Sequence, residues 1–140
     1  MKKDFGNKIG DFMDHSQICY LSSIDEDGFP NTKAVSAIRG RDETNFFFIR
    51  TKYNTVHVEQ FKKNPKASIY FCDPKYSKGL MVRGNVSIIE DKEIKDKLWK
   101  DSDSVYYAQG KDDQNYCMLR FDMIDARFFN NFRSEDICFN

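Results

Sequence analysis

The chain has 140 residues, and its 22 Lys and Arg balance its 22 Asp and Glu, so no net positive field favours nucleic acid as a partner. That length suits a single domain over residues 1–140, with room for a sizeable core. The charged start MKKDFGNKIGDFMDH leads into no apolar stretch and no later run approaches a membrane span, so the expectation is a soluble cytoplasmic protein without a membrane partner.

Phe5, Ile9, Phe12 and Met13 recur at helical spacing and predict an amphipathic helix over about 3–15. Ile18 to Ile24 and Thr32 to Ile38 read as an antiparallel hairpin closed by Asp25-Glu26-Asp27-Gly28. Arg39 to Glu43 turn the chain into a buried strand from Phe46 to Ile49, followed by a hydroxyl-rich, basic turn over Arg50 to Thr55. A short helix capped by Asn54 or Thr55 then carries Val58 and Phe61 on one face and stops at Asn64-Pro65.

Lys66 to Cys72 reads as the next strand, ended by Asp73-Pro74, and Leu80 to Glu90 as a long one in which Gly84 marks a bulge or close backbone approach. Asp91 to Trp99 suggests a helix packed on the sheet through Ile94 and Leu98. Lys100 to Asn115 is a polar excursion carrying an aromatic anchor. Tyr116 to Phe121 and Ala126 to Phe132 read as two closing strands. About seven strands with short antiparallel connections fit a barrel better than a doubly wound sheet.

The stretch from Phe46 to Pro65 has the makings of an anion site. A helix start offers unpaired N–H groups and a partial positive charge, and hydroxyls and cations stand beside it in sequence. An ordinary capped surface helix is the other reading of the same residues. Lys33 interrupts a small, apolar strand, which implies either an anionic partner or an edge strand with Lys33 facing water.

Catalytic motifs are sparse. His15 and His57 are the two histidines, and His57 and Glu59, two apart on a helix, do not share a face as metal ligands would. Four scattered cysteines argue against a zinc cage; Cys19, Cys72 and Cys117 read as buried thiols and Cys138 as exposed. Thirteen Phe and seven Tyr point to a Phe-rich core, and beyond it to a subunit interface or a flat ligand site. Together these features suggest a bound cofactor that brings the chemistry while the polypeptide supplies position and electrostatics.

The segments YLSSIDEDGFPNTKAVSAI, FFIRTKYNTVHVEQFKKNPKASIYF, GLMVRGNVSIIEDKEIKDKLW and YCMLRFDMIDARFF, in that order, resemble the pyridoxamine phosphate oxidase-like FMN-binding split-barrel family, most of all its general-stress-protein branch. The resemblance implies a mainly β (α+β) fold, a six-stranded antiparallel split β-barrel of Greek-key type with short flanking helices. It also implies a homodimer with FMN at the subunit interface. Carried onto this chain, it places Lys33 on the phosphate, Ala34 and Val35 against the flavin, Arg50 and Thr51 at the turn, and Thr55, Val56 and His57 at the helix start.

The chain departs from the family pattern where Val56 and His57 replace two basic residues, where Lys33 stands for a common arginine, and where Gly79 stands at a frequent glutamine position. If His57 touches the phosphate, its proton affinity is expected to rise on binding from a free value of about 6.5.

The resemblance further implies an FMN-dependent oxidoreductase acting on a small molecule, related to general stress proteins, with no catalytic residue readable. The alternatives are a non-catalytic flavin-binding or stress-response module and a nitroimidazole-type reductase, with deazaflavin or haem as other cofactors. Pyridoxamine phosphate oxidation goes in the family with a C-terminal basic motif, for which NNFRSEDICFN offers only Arg133.

Overall fold

In the computed structural model, which describes residues 2–43, 45–73 and 78–139 and side-chain surroundings from Lys8 onward, the chain opens with helix α1 (Lys2–Asp14). Ile9 and Met13, four apart, are buried, and Phe12 meets Phe128 edge-on at 5.6 Å. The expected packing of Phe5 and the strand-ending role of Pro74 lie outside the described residues.

Strands β1 (Ile18–Ile24) and β2 (Pro30–Ser36) form the expected hairpin. Asp25 Oδ1 accepts hydrogen bonds from the Asp27 and Phe29 amides at 3.0 and 2.8 Å, and Gly28 takes a φ of 86°, which favours glycine. The two-residue β3 (Arg41–Asp42) leads into β4 (Phe46–Lys52), then α2 (Val56–Lys63), β5 (Lys66–Asp73), β6 (Lys78–Ile89) and α3 (Lys92–Leu98). Two short 3-10 turns, Asp101–Val105 and Gly110–Asp112, precede β7 (Tyr116–Asn130) and β8 (Arg133–Cys138).

All strand pairings are antiparallel, in the order β2-β1-β5-β6-β7-β4-β3, with β8 added on β7. The sheet does not close along this path. Just past β2, the Arg39 amide donates to Phe48 O at 2.7 Å and the Phe48 amide to Gly40 O at 3.0 Å, so the two edges meet at one end only. The result is an antiparallel split barrel with three helices. Phe47, Phe71 and Phe121 fill it, Phe47 stacked on Phe121 at 4.7 Å. Each such fully buried ring contributes roughly 1.5–3 kcal/mol. A second cluster of Tyr107, Tyr116 and Met118 lies beneath Leu98 and Trp99 at the end of α3.

Three expectations are corrected. Tyr116 to Phe132 is not two strands: β7 runs unbroken to Asn130, and Phe132 lies in the turn beyond it with φ 72°. In the β6–β7 ladder Met123 pairs with Gly84 and Asp125 with Arg83, leaving Ile124 as the extra residue of a bulge. Inward positions therefore change from Leu119, Phe121 and Met123 to Ala126 and Phe128, and the broken alternation mimics a chain break.

The partner side of that bulge is Gly84, as its place in the strand suggested. A Cβ there would stand 2.1 Å from Asp122 O. The second correction is β8, whose polar, exposed residues give no strand pattern. The third is Cys72, which is exposed because it shares the outward face of β5 with Ser68 and Tyr70, while Ile69 and Phe71 point inward.

Candidate functional site: the corner where β2 and β4 meet α2

Arg50, Thr51 and Lys52 belong to β4 rather than to a turn, paired with Met118, Cys117 and Tyr116 of β7. In a strand, neighbours face opposite sides. Thr51 is therefore buried with Phe47 and Ile49, whereas Arg50 faces outward. The same rule divides β2: Lys33 shares a face with buried Val35, and Ala34 faces out with Ser36. The eight residues implied by the resemblance thus split between two sides of the sheet.

On the inner side, Thr51, Thr55, His57 and Lys33 converge. His57 is buried in the first turn of α2, with Nε2 2.7 Å from Thr51 Oγ1 and 3.3 Å from Thr55 Oγ1. Burial, and then the nearby Lys33 charge, push its pKa down to about 4, so the free value is well below the 6.5 expected from sequence. Thr55 is the N-cap residue, but its hydroxyl donates to Lys52 O at 2.9 Å instead of capping. The first amides of α2 therefore have no side-chain acceptor at the cap.

Val56, the first helical residue, is two-thirds exposed. Lys33 is exposed and has no acidic partner among the described residues. Glu59, which lines a cavity with Thr55 and Val56, pairs with Lys62 at 3.0 Å. The corner thus holds an exposed ammonium with no acidic partner among the described residues, a helix start without a side-chain cap, two hydroxyls and a neutral imidazole. The ammonium and the helix amides are donors that suit a phosphate.

On the outer side, Arg50 donates from Nη2 to Ser36 Oγ at 3.3 Å and lies 4.4 Å from the Tyr106 ring centre. Its Nη1 stands 3.5 Å from Oδ1 of Asp103, a carboxylate already held by Arg39. Arg39 donates to both Asp103 oxygens, at 2.9 Å from Nη1 to Oδ2, and also to Leu98 O at 2.9 Å. Burial works against the ionised Asp103, but the hydrogen bonds and charge of Arg39, the Lys100 amide and Arg50 together hold its pKa below the usual carboxylate range. Next to this cluster the Tyr107 hydroxyl donates to Thr51 O at 2.8 Å and supplies the expected aromatic anchor.

Sequence reasoning missed the Arg39–Asp103 pair, because residues 64 apart give no local signal. It also missed Ser23, Asn31 and Gln60, which are hydrogen-bonded to one another beside the corner. At Gly79, a Cβ would come within 1.9 Å of the Tyr70 hydroxyl, so Tyr70 fills the space a longer side chain would need.

A split barrel with a cationic, phosphate-suited corner defines the class to which the comparisons then give a family. The pyridoxamine 5'-phosphate oxidase family profile matches residues 5–130, and the chain belongs to that family. General stress protein 26 of Bacillus subtilis is 26% identical over 132 residues, covering 92% of this chain and 91% of that protein. The pyridoxine/pyridoxamine 5'-phosphate oxidase of Legionella pneumophila is 34% identical over 73 residues, 52% of this chain, and the match spans only 33% of the enzyme.

Among solved structures, a Clostridium acetobutylicum protein related to general stress protein 26 superposes with TM-score 0.88 at 29% identity, covering 97% of this chain and 95% of that one. The fold is shared at lower identity with two proteins of stated ligand. One is a Nostoc punctiforme pyridoxamine 5'-phosphate oxidase-related, FMN-binding protein (TM-score 0.71, 13% identity, 99% and 93% coverage). The other is a heme-binding protein of Mycobacterium smegmatis (0.73, 14%, 99% and 58%).

Proposed function

We propose that this chain binds FMN and serves as a flavin-dependent oxidoreductase for a small molecule in the cytoplasm, as a homodimer with the cofactor at the subunit interface. The observation that carries the reading is Lys33, an exposed cation without an acidic partner among the described residues, beside the buried hydroxyl–imidazole cluster at the start of α2. Family membership and the FMN-binding Nostoc neighbour support the choice of cofactor.

Lys33 and the first amides of α2 would hold the phosphate, with Thr51, Thr55 and His57 behind them. Ala34, Ser36 and Arg50 on the outer side would border the ring. FMN supplies the electron-transfer chemistry when bound. This chain's own residues would bind and orient it. Haem fits less well: Nε2 of His57 is engaged by two hydroxyls, and Nδ1 of exposed His15 lies 2.7 Å from Asp11 O.

Turnover separates an enzyme from a flavin-storing module. Purified protein loaded with FMN is expected to be bleached at its visible flavin band by a reduced nicotinamide and to recover colour with an electron acceptor. A flavin that stays oxidised with every nicotinamide tried contradicts nicotinamide-driven oxidoreductase activity and favours the module.

A further inference from the structure

Beside the corner lies a polar link between three elements. Gln60 Oε1 accepts hydrogen bonds from Ser23 Oγ at 2.5 Å and from Asn31 Nδ2 at 3.1 Å. Ser23 is fully buried on β1 and pairs with Asn31 in the β1–β2 ladder. Asn31 and Lys33, two apart on β2, share a face; His57 and Gln60, three apart on α2, share another. The link therefore joins the strand that carries the cation to the helix that carries the imidazole.

The backbone does little to fix that gap. β2 is the last strand in the sheet order and has a full ladder only with β1, so its other edge does not set its distance from α2. An ion pair from Lys63 to Glu26 also spans helix and hairpin, but its side chains are 68% and 79% exposed, and such pairs hold geometry weakly. Gln60 presents its carbonyl oxygen to two donors at once, one of them buried. Replacing it with an apolar side chain leaves the Ser23 hydroxyl buried without that acceptor.

We propose that Gln60 is a positioning residue: through Ser23 and Asn31 it sets the spacing between Lys33 and the start of α2, and thereby the preference for a phosphorylated flavin over its dephosphorylated form. The inference rests on the reading that the FMN phosphate occupies this corner. The Gln60 acceptor oxygen is turned to Ser23 and Asn31, and the effect of Gln60 passes through Lys33. A direct contact of its NH2 with the phosphate would instead make the Gln60 and Lys33 substitutions additive.

The test is a titration of FMN and riboflavin, followed by flavin fluorescence, against the parent, Gln60→Leu, Lys33→Ala and the double variant, with melting curves of each. Gln60→Leu is expected to weaken FMN about tenfold while leaving riboflavin unchanged, the effect of a lost buried hydrogen-bond pair. In the Lys33→Ala background the same substitution is expected to change FMN affinity little, because the two act as one unit. Asn31→Ala, on a half-buried strand position, repeats the selective loss at smaller size and keeps the test open if Gln60→Leu folds poorly. Equal losses for both flavins, additive effects of the two substitutions, or no loss at all overturn the inference. A parent that binds FMN and riboflavin alike overturns the phosphate reading itself, and the inference with it.

Discussion

His57 and Lys33 place opposite demands on one small volume. Protonating the imidazole would charge a buried ring and set a second cation beside Lys33, which is why its pKa falls to about 4. An unfolded histidine binds its proton near pH 6.5, so as pH falls the unfolded chain takes up that proton first. The stability owed to neutral His57 is therefore fully present above pH 6.5, is lost between 6.5 and about 4, and changes no further below that. The slope it contributes is at most about 1.4 kcal/mol per pH unit. Urea denaturation of the parent and of His57→Gln over that range checks this. The variant is expected to lose stability less steeply, and parallel curves would contradict the account. A phosphate bound there, as proposed, would favour the protonated ring and raise this pKa, so a weakly basic histidine is compatible with an anion site.

At the scale of elements, the excursion from Lys100 to Asn115 is held by two unlike devices. Tyr107 fills the second cluster and donates to the β4 backbone, while Asp103 joins Arg39 inside the protein. Removing one member of a buried pair leaves the other charge uncompensated, so Asp103→Ala is expected to cost about 3–5 kcal/mol. Chemical denaturation measures that cost, and a loss under 1 kcal/mol would mean that Arg39 finds water instead. Such pairs mark the limit of sequence reading. The hairpin, the strand at Phe46, both later helices and the bulge at Gly84 were legible because turn chemistry and periodicity are local. Ile124 was not, because an inserted residue reverses the inward pattern and looks like an interruption. Arg50 and Thr51 stood out as polar residues after an apolar run, but counting them as turn residues hid that they lie in β4 and face opposite sides. The positions of the candidate corner could be named from sequence; which of them meet depended on the pleat.

For the whole molecule, the split of the barrel matters most. Its two edges are hydrogen-bonded near Gly40 and Phe48 but β2 has no ladder with β4, so the cation stands on an edge strand near His57 of α2 instead of within a closed wall. Exposed Ile18, Tyr20, Phe129 and Phe132 leave aromatic and aliphatic surface outside the core, in keeping with the proposed homodimer. No helix among the described residues is long and apolar enough to cross a membrane. The central claim is that one ammonium at this corner holds the cofactor phosphate. Calorimetric titration of FMN into cofactor-free parent and Lys33→Ala tests it most directly. Loss of one charge-assisted contact of about 1.5–3 kcal/mol predicts an FMN dissociation constant roughly 10 to 150 times weaker in the variant, with riboflavin binding unchanged. Equal FMN affinity in the two proteins, or a parent that does not bind FMN, would contradict it.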